Sequence, residues 1–164
     1  MIDELKQEEV MSETNETPDE LIKETIDKVS NYLTEFHSDH ISFGDGSFTV
    51  SRGSSQTMII VRPFTKTEAC VECIANVVTG ANITPNLMRF LLRKNSELHF
   101  GGFGLLFDDT ITFSRSFSSS AMDSDEFKVT LNAVAIISDY YDDIIVDLAG
   151  GKRARDILDD LMLD

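Results

Sequence analysis

Residues 84–117 read TPNLMRFLLRKNSELHFGGFGLLFDDTITFSRSF, and the hydrophobic period changes within that stretch from helical to strand-like. Thr84-Pro85 is a helix start, because a threonine side chain accepts a bond from a free backbone amide and proline fits the first helical position. The helix carries Leu87, Met88, Phe90, Leu91 and Leu92 and runs to Lys94-Asn95. Further on, Ile111, Phe113 and Phe117 alternate with Thr110, Thr112, Ser114 and Ser116, the period of two that belongs to a strand with one buried face. The spacing predicts strands at 98–107 and 110–117, joined by Asp108-Asp109 as a two-residue hairpin turn. A helix feeding an antiparallel hairpin is the signature of an α+β domain.

Working outward, the N-terminal side supplies one helix and three strands. Thr17-Pro18-Asp19-Glu20 has the form of a capping box with proline at the first helical position. Ile22, Ile26, Val29, Leu33 and Phe36 then recur at spacings of four and three on one helical face. Phe48 and Val50 alternate with Ser47, Thr49 and Ser51; Arg52-Gly53-Ser54-Ser55 turns the chain into Met58-Ile59-Ile60-Val61, which Pro63 interrupts. Glu68 to Thr79, with Val71, Ile74, Val77 and Val78, predicts a third strand, although periodicity alone leaves helix open there. On the C-terminal side, Asp123 with Glu126 forms a second capping box. It opens a long helix striped with Phe127, Leu131, Val134, Tyr141, Ile145 and Leu148, which Gly150-Gly151 ends. The expected order is helix, three strands, helix, two strands, helix, on an antiparallel sheet.

The 164 residues carry 29 acidic and 14 basic side chains, a formal charge of −15. Residues 1–20 contribute eight acids and one base and residues 138–164 eight acids and three bases, so the remainder is nearly balanced. Residues 1–16 read as an acidic disordered tail, 17–151 as the folded domain and 152–164 as an acidic amphipathic tail whose Ile157, Leu158, Leu161 and Met162 could dock or fray. An acid excess of this size repels phosphate backbones and anionic lipid, which argues against nucleic acid and membrane surfaces as partners. Two cysteines and the absence of a basic, apolar start to the chain point to a cytoplasmic protein without a disulfide framework.

The residues that could carry chemistry do not assemble into a motif. Cys70 and Cys73, with His37 and His40, have the donor types for zinc, and a metal-dependent sensor is the alternative reading. In a strand, however, residues three apart face opposite ways, so the two thiols would not converge. Gly101-Gly102-Phe103-Gly104 leads into a hairpin rather than a helix N-terminus and lacks the lysine of a phosphate loop. Glycines in a strand mark a bulge or the close approach of another backbone, a packed helix or a symmetry mate. Asp139, Asp142, Asp143 and Asp147 read as a solvated acidic face. Ser118-Ser119-Ser120 has no nucleophile elbow, and His37, His40 and His99 have no acid and nucleophile partners in sequence. The expectation is a protein with no catalytic residues, no metal and no cofactor.

The stretch with Leu91-Leu92, Asn95, Phe103-Gly104, Asp108-Asp109 and Ile111 to Phe113 resembles the YbjN-like proteins and the type III secretion chaperone-like fold, whose element order matches residues 18–149. The resemblance implies a non-enzymatic, chaperone-like or regulatory homodimer that binds a peptide segment of a partner protein on its first helix and sheet. Phe36, Phe48, Val50, Met58 and Ile60 are the candidate peptide contacts, and Gly101, Gly102 and Phe103 the candidate dimer contacts.

Overall fold

A computed structural model describes residues 17–163 of the chain; the expected acidic tail at 1–16 lies outside the described residues. The elements run α1 (Asp19–Phe36), β1 (Ile41–Ser42), β2 (Ser47–Arg52), β3 (Ser55–Pro63), β4 (Ala69–Thr79), α2 (Pro85–Glu97), β5 (Gly102–Leu105), β6 (Ile111–Ser118), α3 (Ser124–Ala149), β7 (Lys152–Arg153) and α4 (Ala154–Leu163). The expected order of major elements holds, with two short strands, β1 and β7, and the terminal helix added. The sheet is antiparallel throughout in the order β1-β2-β3-β4-β6-β5, and β7 pairs with the end of β4.

The core lies between one face of this sheet and helices α1 and α3. Val29 and Leu33 from α1 and Phe127, Leu131, Val134 and Ile145 from α3 are buried against Ile59, Val71, Cys73, Ala75, Ile111 and Phe113. Burial alternates along β3 and β4, so the opposite face of the sheet, carrying Met58, Ile60 and Ile74, remains accessible. Helix α2 sits at the β5 edge and reaches α3 through Phe90 and Tyr141, whose ring centroids are 6.3 Å apart.

Three local expectations are corrected. Thr17 does not cap α1: its hydroxyl donates to the Thr65 carbonyl at 2.7 Å and accepts from the Phe64 amide at 2.8 Å, tying the start of the helix to the β3–β4 loop. Glu126 does not reach back to Asp123; it pairs with Arg115 at 2.5 Å, while Asp123 alone caps α3 by accepting from the Glu126 amide at 2.8 Å. The β5–β6 connection is a three-residue loop, Phe107-Asp108-Asp109, with Leu106 paired to Thr110 and Asp109 in the left-handed region at φ 63°. A turn closed by a left-handed residue is the usual three-residue solution, and aspartate tolerates that conformation better than most side chains. Thr84 and Gly150 behave as expected, the first accepting from the Leu87 amide and the second ending α3 at φ 71°.

The acidic face expected on α3 is mostly engaged. Gly53 takes φ 58° in the two-residue β2–β3 turn, and Asp139 packs where its Cβ would be, so glycine is required there. The neighbouring Ser54 hydroxyl lies 2.6 Å from Asp139 Oδ1 and 2.5 Å from Asp142 Oδ2. A hydroxyl has one proton, so it donates to one carboxyl and accepts from the other. The bonds from Ser54 hold Asp139 below the usual carboxylate range, whereas burial pushes Asp142, only 3% exposed, above it. Of the two carboxyls Asp142 is therefore the one that takes up a proton first as pH falls, and it then donates to Ser54, which donates to Asp139. Because the folded state raises the Asp142 pKa, ionising that group opposes folding, and the penalty develops as pH rises above the ordinary aspartate value of about 4. Asp142→Asn, which keeps the donor to Ser54, is expected to match the parent near pH 3 and to melt at a higher temperature at pH 7. Asp139→Asn has the opposite sign, since a lowered pKa stabilises only above the window in which the group is protonated. Calorimetry at the two pH values checks both; a lower melting temperature for Asp142→Asn at pH 7 contradicts a cost of ionising Asp142 in the folded state.

Candidate peptide-binding surfaces

Strand register assembles an apolar row on the open face. Ile41 pairs with Thr49, Thr49 with Met58, Met58 with Ile74, and Ile74 with Ser114, so one line across five strands sets Met58 and Ile74 side by side, with the buried Thr49 between them and Ile41 and with Ser114 beyond. Ile60 stands in the next row, between Ser47 and Glu72. Ile41 is 56% and Met58 39% exposed, and Phe43 extends the apolar surface beyond the sheet edge. An Arg62–Glu72 ion pair at 3.1 Å borders it. Surface apolar groups grouped in this way, rimmed by serine, threonine and charge, are suited to another polypeptide rather than to a small polar ligand.

A second apolar surface lies at the opposite edge. Ile83, Leu87 and Leu91 below and Met88, Leu92 and Leu105 above form a groove of about 210 Å³ between α2 and β5, with Phe103 in its wall. Asn95 holds the two elements together: its amide donates to the Phe103 carbonyl at 3.0 Å and accepts from the Phe103 amide at 2.6 Å. One side chain thus satisfies both outward backbone groups of an edge-strand residue, and it also closes that part of the edge to a further strand.

The residues expected to bind peptide do not share a surface. Phe48 pairs with Ile59, and both it and Val50 are buried beneath the helices, so these two serve the core. Met58 and Ile60 lie on the other face, as their one-residue offset from Ile59 requires. Phe36 is at the end of α1 in the helical layer, with the Lys128 ammonium 4.8 Å from its ring centroid. Ile41, Phe43 and Ile74 complete the open-face patch and escaped the sequence reading. The register that lines up Ile74 with Met58 is not visible in either strand alone, and β1 has only two residues.

The glycine segment is explained within the chain. A Cβ on Gly101, at φ 130°, would stand 2.6 Å from the Ser114 carbonyl oxygen, and one on Gly102 would touch Asn95 at 3.4 Å. The close backbone is therefore β6 and the packed helix α2. Phe103 is buried edge-on against Phe113 and Tyr141, at centroid distances of 5.0 and 5.3 Å.

Cys70 and Cys73 point to opposite faces of β4. Cys73 is in the core, where burial pushes its thiol up to about 12, and burial also raises Cys70. The His40 ring contacts the His37 carbonyl at 2.8 Å and lies 6.0 Å from the Phe48 ring. Among the described residues, no group of three or more His, Cys, Asp or Glu side chains is placed to hold a metal ion. No helix among them is long and apolar enough to cross a membrane.

The chain thus combines a one-sided antiparallel sheet, helices on its other face and a partly exposed apolar row on the open one. The model of the TY-Chap1 family, described as T3SS (YopN, CesT) and YbjN peptide-binding chaperone 1, matches residues 19–157, and the chain belongs to that family. Among solved structures, the crystal structure of the ExsC-ExsE complex contains a chain with the same fold, at a TM-score of 0.59 and 16% identity, covering 73% of this chain and 95% of that one. No curated protein sequence matches.

Proposed function

We propose that the protein is a non-catalytic cytoplasmic chaperone or regulator that works as a homodimer and binds an extended segment of a client protein on the open face of its sheet. The observation that carries this reading is the row of exposed Ile41 and Met58 and half-buried Ile74, on the sheet face away from the helices, in a member of a peptide-binding chaperone family. An extended peptide places alternate side chains on one side, so its apolar residues can lie against this patch while the others face water. The strongly acidic chain favours clients that are neutral or basic.

The test is a peptide array of extended segments with alternating apolar residues, probed with the full chain and with the double variant Met58→Asp, Ile74→Asp. These side chains lie on the face away from the core but face each other across β3 and β4, so the two carboxylates repel; the variant is expected to melt somewhat lower than the parent, and binding is read well below its own transition. Two carboxylates in the row are expected to weaken binding by roughly tenfold or more, since each tenfold corresponds to about 1.4 kcal/mol of lost contact. Undiminished peptide binding by a folded double variant removes the open face as the site.

A further inference from the structure

Helix α2 carries unpaired positive charge on a chain dominated by acids. Of the described arginines, Arg52 bonds to Asn132, and Arg62, Arg115, Arg153 and Arg155 each pair with a carboxylate. The guanidinium groups of Arg89 and Arg93 have no ion pair or hydrogen bond among the described residues. These two are exposed and stand one helical turn apart, so their side chains emerge next to each other. With Asn86, Phe90, Lys94 and Glu97 they line a depression of about 410 Å³ on α2, separate from the α2–β5 groove. Lys94 and Glu97 pair with each other at 2.5 Å, which leaves the two guanidiniums as the uncompensated charge of that face. Residues 1–16 supply the opposite sign: Asp3, Glu4, Glu8, Glu9, Glu13 and Glu16 against the single base Lys6. Thr17, where that segment joins the described chain, is tied by its hydroxyl to Phe64 and Thr65. Glu9 and Asp3 precede it by about 8 and 14 residues, a reach of up to roughly 27 and 48 Å from that anchor. A domain of this size is roughly 40 Å across, so the face of α2 is within range of these carboxylates.

We propose that the acidic segment of residues 3–9 docks on α2 of its own chain, its carboxylates pairing with Arg89 and Arg93 over the depression that Phe90 floors. A guanidinium presents two parallel donors to a carboxylate, so each arginine takes one acid, and Asp3, Glu4, Glu8 and Glu9 offer several equivalent registers. Tethering makes the contact: exposed ion pairs are individually weak, but a segment joined to its site through a short stretch of its own chain meets it at an effective concentration on the order of millimolar. Salt opposes it, since the screening length falls from about 8 Å at 0.15 M to about 3 Å at 1 M. Occupied in this way, the depression is closed to acidic polypeptides, in keeping with clients that are neutral or basic. The contact does not depend on where such a client sits.

Nitrogen-15 NMR of the full chain, read at the amides of residues 3–9 between about 0.05 and 1 M NaCl, is the test. In the parent these resonances are expected to shift with salt as the contact is screened. In the double variant Arg89→Glu, Arg93→Glu they are expected to lie at the parent's high-salt positions at every salt concentration, while amides of the β3–β4 ladder stay in place and show that the fold is kept. Adding Glu8→Lys and Glu9→Lys to that variant is expected to restore the salt-dependent shift, which a loosened helix would not do. The control is Lys23→Glu, at an exposed base on α1 near Thr17 in sequence. Resonances of residues 3–9 that ignore the arginine exchange overturn the contact. An equal response to Lys23→Glu also overturns it, because the segment then senses only the general field of the protein. A low-salt shift that grows with protein concentration assigns the acids to another copy and likewise overturns docking within one chain.

Discussion

Phe113→Ala is expected to lower the unfolding free energy by about 3–5 kcal/mol, a large share of the roughly 5–15 kcal/mol available to a domain of this size. Phe113 is fully buried in β6. It pairs with Ala75 on one side and with Phe103 on the other, and the Phe103 ring meets it edge-on at 5.0 Å. Gly101 lacks a side chain where the Phe113 ring passes, since a Cβ there would stand 2.8 Å from it. Neither Ala75 nor Gly101 can swell into the space that a truncated ring leaves, so the cavity stays open and its full cost is felt. Phe103, and through it Tyr141, would lose its backing, which carries the disturbance to α2. Urea denaturation is the measurement, with Phe64→Ala, on the half-exposed β3–β4 loop, as the comparison. Equal losses for the two variants would contradict the packing described here.

Asn95→Ala is expected to cost about 2–3 kcal/mol, because it leaves two largely buried backbone groups of Phe103 without partners rather than removing a single exchangeable bond. The effect is local in its first consequence: α2 loses its polar tie to β5, and hydrogen exchange of the Phe103 amide is expected to accelerate more than that of the β3–β4 ladder. Asn95→Asp separates the two bonds. The carboxylate still accepts from the Phe103 amide but opposes the Phe103 carbonyl, so its stability is expected to fall between those of the parent and the alanine variant at pH 7. If the alanine variant leaves both stability and Phe103 exchange unchanged, the asparagine is not what fastens the helix to the sheet edge.

Much of the architecture was legible because it is written in periods. The stripe of Val29 and Leu33 and that of Phe127, Leu131, Val134 and Ile145 are buried where a 3.6-residue repeat places them. In β6 Ile111 and Phe113 are buried as their period of two requires, but Thr110 and Thr112, expected outward, are buried as well. Departures occur where a polar side chain had a choice of distant partners. Thr17 bonds to a loop nearly fifty residues away instead of capping the helix it precedes. Asp142, on a helix face that otherwise reads as solvated, is buried because Ser54 in the β2–β3 turn meets it. For the binding surface, alternation in β2 and β3 says which residues within each strand share a face, but it leaves open how the two strands align. Pairing Phe48 with Ile59 sends Met58 and Ile60 to the side opposite Phe48 and Val50.

The amino-acid sequence by itself determined the element order, the helix starts at Thr84 and Asp123, the helix stop at Gly150 and the family resemblance, because caps, turns and hydrophobic periods act over a few residues. Only the tertiary structure decided which apolar side chains remain outside. Strand register joins Ile41, Met58 and Ile74 into one row, and the docking of α2 through Asn95 builds a groove next to Phe107. Both depend on contacts between segments far apart in the chain, where the same apolar residue can serve either a core or a partner and only its neighbours settle which.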